Sequence, residues 1–280
     1  MKKIVPLLFL IGFVTTFSAC KKNNDPEVDT QKSGVVTTPS GKSCLLNKIT
    51  DVSDNESSTF EYDNQKRVTK ILRFDGTQTD GYATITYSTT QIVYNDFDQG
   101  STTPDETITY TVANGRVTSG TYTETDIDEN SGYTYTYTDT ETYEYNSEGY
   151  LTKTTSNSTE TSNEPNYQPD NDSYVTTYTY QNGNLITMVE TGGDSSDTYT
   201  TSYEYNTDIV NTILVADYGI VIGKPNKNAI KKETQTNSNP NSSTYISNYT
   251  YELDADKNIK KATRTSGTDV DITTFNYTCN

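Results

Sequence analysis

The chain has 280 residues, 38 acidic against 21 basic, a formal charge of −17, and neither histidine nor tryptophan. Without histidine, Ser-His and Cys-His triads and imidazole metal sites are excluded. The acidic balance and the lack of any Lys/Arg run argue against nucleic acid or an anionic membrane surface as partner.

Lys2 and Lys3 precede an apolar segment, Ile4 to Phe17, that is too short to span a bilayer as a stable helix, and Phe17-Ser18-Ala19-Cys20 follows it. This is the layout of a secretory signal peptide. It is similar to a bacterial lipobox, in which cleavage before Cys20 and acylation of its thiol anchor the mature chain by two or three acyl chains. The alternative is an ordinary signal peptide with an incidental cysteine. Removing residues 1–19 takes two lysines with it and leaves 261 residues at a formal charge of −19.

Residues 20–43 are Pro-, Ser- and Thr-containing and lack periodicity, so they read as a lipid-anchored flexible tether. The domain proper is expected over 44–280. Its Leu, Ile, Val and Phe make up only about 15 % of the mature chain, a fraction that usually means disorder. Against this stand 24 tyrosines, all after the signal and set at alternating positions among threonines, where β propensity is high.

A hairpin unit recurs. It is seen in Phe60-Glu61-Tyr62-Asp63-Asn64-Gln65-Lys66-Arg67-Val68, in Tyr143-Glu144-Tyr145-Asn146-Ser147-Glu148-Gly149-Tyr150-Leu151 and in Tyr178-Thr179-Tyr180-Gln181-Asn182-Gly183-Asn184-Leu185. Anchors at 62, 87, 112, 145, 180, 205, 253 and 277 give a basic repeat of about 25 residues, lengthened three times by insertions. Asn114-Gly115 and Asn182-Gly183 predict tight type I′ turns. From 133 to 145 the odd positions are Tyr, Asp and Glu and the even ones Thr and one Glu, so the strands have two distinct faces. About sixteen antiparallel strands in a meander cannot remain an open sheet. Closure into a barrel or roll is expected.

One insertion is apolar. Within residues 208–223, Ile209, Val210, Ile213, Leu214 and Tyr218 predict a plug or cap for the barrel, possible as a short helix, with an exposed partner-binding segment as the alternative. Cys44 and Cys279 stand at the start of the first strand and the end of the last. In a closed, even-stranded meander those strands are antiparallel neighbours, so an intramolecular disulfide would staple the seam. Two free thiols, or Cys44 bonded to a partner protein, are the alternatives.

The Tyr-x-Tyr-Asp/Asn-x-x-Gly-x-Leu/Ile pattern resembles the repeats of RHS/YD-type proteins. The ordered set of lipobox, Cys44-Leu45-Leu46-Asn47-Lys48-Ile49 start, Tyr-Glu-Tyr-Asn hairpins, apolar insertion before Lys227-Asn228-Ala229-Ile230 and terminal Phe275-Asn276-Tyr277-Thr278-Cys279 is similar to a family of Bacteroidota lipoproteins. That family carries a domain of unknown function, described as porin-like in fold. The resemblance covers residues 44–279 and implies a porin-like barrel and an envelope location, with no established activity.

Candidate chemistry is sparse. Carboxylate pairs such as Asp126/Asp128 or Glu141/Glu144 could in principle serve glycoside hydrolysis, but among 38 acidic residues such pairs arise by chance and read first as solvated charge. Asp254-x-Asp256-x-Asn258 and Asp126-x-Asp128-x-Asn130 resemble the start of a calcium loop but lack its Gly and Glu, and Asx turns explain them equally. No metal or other cofactor is expected. The tyrosine stripes are either core or a surface able to stack on neutral glycans. The leading expectation is a non-catalytic, monomeric, outer-membrane-anchored lipoprotein, on the cell-surface or periplasmic face, that binds a neutral glycan or an envelope protein. An integral porin-like channel and a glycan-active hydrolase are the alternatives.

Overall fold

Period-two alternation of Tyr or aliphatic residues with Thr, punctuated by Asx- and Gly-containing turns, produces strands throughout. The computed structural model describes residues 35–37, 43–128, 130–169, 171–193, 197–213 and 219–279. The signal segment and Cys20 lie outside them. The strands are β1 (Val35–Thr37), β2 (Ser43–Asp51), β3 (Glu56–Tyr62), β4 (Val68–Asp75), β5 (Gln78–Tyr87) and β6 (Gln91–Asp98), then β7 (Glu106–Ala113), β8 (Arg116–Ile127), β9 (Thr134–Tyr145), β10 (Leu151–Ser162), β11 (Asn171–Gln181) and β12 (Asn184–Gly192). They continue with β13 (Thr198–Val210), β14 (Asn228–Asn237), β15 (Tyr245–Leu253), β16 (Ile259–Ser266) and β17 (Asp269–Cys279).

β2 to β17 form a closed sixteen-stranded antiparallel barrel in which each strand pairs with its chain neighbours and β17 returns to β2. Closure leaves no free sheet edge around the ring. At the seam Cys279 pairs with Cys44 and the two form the disulfide, with Cα atoms 4.0 Å apart. The bond joins the two strands that no turn connects. β1 pairs with Ser43–Leu45 of β2, so three residues expected in the tether add a short strand there.

The two ends of the barrel differ. At one end lie the seam and the tight turns. Asn114-Gly115 and Asn182-Gly183 both have positive φ at each position, as a type I′ turn requires. Three longer turns share a single design: the side-chain Oδ1 of Asp63, Asn146 or Asp254 accepts from the backbone N–H groups two and four residues on. Lys66, Gly149 and Lys257 hold the left-handed position. The calcium-like Asp254 motif is thus an Asx turn, as is Asp128, which accepts from Asn130 and Ser131 N–H. Most connections at the other end are longer loops, with two-residue turns at Gly76-Thr77 and Gly267-Thr268.

The core gathers at the tight-turn end. Leu46, Val68, Val117 and Ile259 are fully buried, and Ile71, Ile85, Tyr94, Leu151 and Phe275 complete much of the same cluster. In β4, β8 and β10 the inward residues near this end are three apart: Val68 and Ile71, Val117 and Gly120, Leu151 and Thr154. Strict alternation would put such pairs on opposite faces. Register shifts of bulge type beside the turns, at Glu61/Tyr62, Thr111/Val112, Leu151/Lys153 and Glu252/Leu253, bring both inward.

The same geometry explains the repeated tyrosine. Where neighbouring strands diverge beside the tight turns, a carbonyl would lose its ladder partner. Tyr62, Tyr87, Tyr145 and Tyr205 donate their hydroxyls to the carbonyls of Leu46, Val68, Val117 and Leu185 respectively. In every case the carbonyl lies two residues before, and the tyrosine three after, a paired position: Lys48↔Thr59, Lys70↔Thr84, Ser119↔Thr142, Thr187↔Ser202. Each ring fills the core while its hydroxyl satisfies a buried acceptor.

The apolar insertion connects β13 to β14 at this end. Val210 pairs with Asn228. Asn211 and Thr212 are buried, Ile220 joins the core at 4 % exposure, and Ile209, Ile213 and Ile222 are half-buried against it. Thr212 Oγ1 accepts from Ile259 N–H and meets the Tyr277 hydroxyl, Gly219 lies against Val68 and Ile85, and Lys224 N–H bonds to the Gly149 carbonyl. The insertion therefore reaches across from β16 and β17 to β4, β5 and the β9–β10 turn. Its described residues form no helix, because Gly219 and Gly223 adopt φ of +65° and +83° and the Asn211 side chain caps Ile213 N–H. Leu214 and Tyr218 lie outside the described residues.

Candidate functional site: the open mouth and a cleft in the wall

Away from the plugged end the inward face changes character. The pairing registers place Arg73, Asp96, Glu106, Asp139, Glu141 and Glu233 on the lumen side of their strands, in line with core residues such as Ala83, Ile85 and Tyr143. Arg73 crosses Gly81, whose missing side chain leaves it room, and grips Asp96 with both guanidinium nitrogens at 2.8 and 2.5 Å. The Tyr94 hydroxyl donates to the same carboxylate.

The other carboxylates have fewer cations. Burial, with Asp96 and Glu124 nearby, pushes the Glu106 carboxyl up to about 7. Burial also raises Asp139 and Glu141, even though Ser156 donates to the former and Tyr143 to the latter. A crevice of about 30 Å³ lies between Glu106, Tyr122, Asp139 and Glu141, room for one water.

Tyrosines interleave with these acids. Tyr122 donates to Glu124, Tyr137 to Ser158 and Tyr249 to Glu233. Burial carries the Tyr178 hydroxyl up to about 12. Towards the rim, Tyr137, Tyr199 and Tyr245 are exposed. The anchor tyrosines of the repeat are therefore core, whereas rim tyrosines of the same alternating stripes face solvent at the mouth.

The paired carboxylates separate. Glu141 faces the lumen, while Glu144, of opposite parity on β9, lies outside and pairs with Lys153 at 2.9 Å. Asp126 and Asp128 are exposed at the β8–β9 loop, and Asp128 is occupied in its turn. Among the described residues, no group of three or more His, Cys, Asp or Glu could hold a metal ion. The odd-position stripe of Tyr133 to Tyr145 carried the signal for Asp139 and Glu141 as lumen groups, whereas Glu106 has no motif.

Outside, the wall is hydroxylated and charged. Threonines pair across strands, as at Thr125 and Thr136, and Lys–Glu pairs repeat at Lys153–Glu144, Lys232–Glu204 and Lys261–Glu252.

A second concavity opens in the wall itself. β12 and β13 pair only from Thr187↔Ser202 to Thr191↔Thr198. Towards the plugged end they part, and the end of the insertion enters between them. Lys227 N–H bonds to the Gly183 carbonyl, Asn226 Oδ1 accepts from Leu185 N–H, and Asn228 spans to the Thr207 carbonyl. A cleft of about 370 Å³ remains, between Gln181, Asn182 and Ile186 on one side and Tyr203, Glu204 and Thr207 on the other.

No family model matches the chain, and no curated protein does. Solved structures do. A porin-like protein from Bacteroides vulgatus ATCC 8482 shares 15 % identity at a TM-score of 0.59, covering 83 % of this chain and 98 % of that one. A porin-like protein from Bacteroides uniformis ATCC 8492 shares 17 % identity at a TM-score of 0.51, covering 82 % and 96 %. At these identities the likeness is one of fold: the chain has the porin-like barrel that the repeat pattern implied.

Proposed function

We propose that the protein is a non-catalytic binding lipoprotein, anchored in the outer membrane through Cys20, whose ligand enters the open mouth of the barrel. The observation that carries this reading is the asymmetry of the lumen: an apolar core and insertion close one end, and tyrosines and carboxylates line the other. A neutral glycan chain suits the exposed rings of Tyr137, Tyr199 and Tyr245, and an envelope protein with a basic loop suits the carboxylates.

The attachment of β1 supports an orientation. It joins β2 beside Cys44, at the plugged end, and the fifteen residues from Cys20 to Val35 reach at most about 50 Å. The lipid is thus tethered nearest the disulfide end of the barrel, which favours an orientation with the mouth away from the bilayer. An integral channel, the second reading, requires an apolar lipid-facing band and an open bore. Thr ladders and Lys–Glu pairs on the outer wall, and Ile220 in the core, oppose both requirements.

Affinity electrophoresis of unlipidated residues 21–280 through neutral polysaccharides tests the glycan reading. Retardation that falls on changing Tyr137 and Tyr245 to Ala supports it. No retardation in any polysaccharide removes glycans and leaves an envelope protein as the partner.

A further inference from the structure

We propose that the cleft between β12 and β13 is a binding site for a single neutral sugar ring, separate from the mouth. The cleft is built rather than incidental. The two strands stop pairing at Thr187↔Ser202, and the residues that intervene hold the walls apart instead of filling the gap. Asn184 and Asn228 bond reciprocally, Nδ2 to Oδ1 at 3.1 Å and backbone N–H to Oδ1 at 2.9 Å, with both side chains buried. The Tyr205 hydroxyl ties β13 to the Leu185 carbonyl at 2.6 Å. These bonds satisfy the Leu185 N–H and carbonyl and the Thr207 carbonyl where the ladder is interrupted, which supports an opening that persists without a ligand.

The lining has the chemistry of a hydroxyl-rich, uncharged ligand. Gln181, Asn182 and Thr207 are exposed at its rim and offer two amides and a hydroxyl that both donate and accept. A sugar hydroxyl also does both, which matches amides better than carboxylates or ammonium groups do. Ile186 supplies apolar surface for one ring face. The charges at the rim balance: Glu204 is paired with Lys232 at 3.4 Å, and Lys227 stands opposite. A volume of about 370 Å³ is at the small end of ligand pockets, sufficient for one or two rings. At the other strand partings with the same register, the strap tyrosines Tyr62, Tyr87 and Tyr145 close the wall without an intervening segment like that of Asn226–Asn228.

The test uses unlipidated residues 21–280 and saturation-transfer NMR with a panel of neutral monosaccharides, beside glycine and a glycyl dipeptide as zwitterionic controls. The expected result is saturation of at least one monosaccharide with a Kd of roughly 1 mM, the weak range for so small a ligand. Gln181→Ala should weaken it more than tenfold, and Thr207→Trp, which fills the cleft from an exposed position, should abolish it. Both variants should keep the parent melting temperature. Tyr137→Ala at the mouth should leave the signal unchanged. Binding lost in Tyr137→Ala but kept in Thr207→Trp would assign the sugar to the mouth and overturn the proposal. Saturation of the zwitterions alone, or of nothing in the panel at 50-fold excess (about 50 mM), would overturn it as well.

Discussion

Tyrosine has two jobs in this molecule, and position along the strand decides which. Beside the tight turns its ring is core and its hydroxyl replaces a missing ladder bond, so removing the oxygen leaves a buried carbonyl without a donor. Tyr145→Phe and Tyr205→Phe should each cost about 1–2 kcal/mol, read as a lowered urea midpoint at unchanged slope. At the mouth, Tyr245→Phe should change stability by less than about 0.5 kcal/mol, because its ring is exposed. Glu106 gives the other residue-scale outcome. Its folded-state pKa, about 7, lies above the ordinary carboxylate value of 4.5, so the native state holds the proton more tightly than the unfolded chain. Its contribution is therefore favourable below about pH 4.5, is lost as pH rises from there to 7, and is a net cost above that. Glu106→Gln should raise stability at pH 8 by about 1 kcal/mol, a figure reduced for partial solvent screening, and change little at pH 4. Thermal melts of the two proteins at the two pH values check the sign.

At the scale of elements, the described parts of the insertion pack into the core at the disulfide end of the barrel. Ile220 is buried among Val68, Ile85 and their neighbours, so a charge there meets an apolar site. Ile220→Asp should destabilise the fold by about 3–5 kcal/mol and Ile220→Ala by about 2–4. An unchanged melting temperature for both would mean that the segment does not pack as described. The hairpins themselves were legible from sequence because Asn-Gly pairs and Asx turns act locally. The bulges were not. Val68 and Ile71 are three apart, and a period-two reading assigns them opposite faces, so it cannot find the extra residue that turns both inward. Helical spacing over Ile209, Val210 and Ile213 was likewise a local pattern, overridden by Gly219, Gly223 and the contacts of Asn211 and Thr212 across the barrel. The wall cleft had no sequence signal at all. It depends on where residues 226–228 re-enter, which is a property of the closed sheet.

At the scale of the molecule, closure was legible because about sixteen meander strands cannot remain an open sheet, and the cysteines at the two ends of that meander meet in the closed barrel. The disulfide closes a loop of 235 residues. Replacing both Cys44 and Cys279 by Ser should therefore cost about 2–5 kcal/mol and leave the barrel open to fraying at the β2–β17 seam, visible as faster amide exchange in those two strands. The character of the outer wall came from the same alternation that set the lumen, since each threonine outside β9 answers a Tyr, Asp or Glu within.

We propose that this porin-like barrel is a water-facing, one-ended body rather than a bilayer-spanning channel. Size-exclusion chromatography of unlipidated residues 21–280, made without the signal segment and kept free of detergent, tests it most directly. The expected result is a monodisperse monomer with the Cys44–Cys279 bond intact. Recovery of folded protein only from detergent micelles would contradict it.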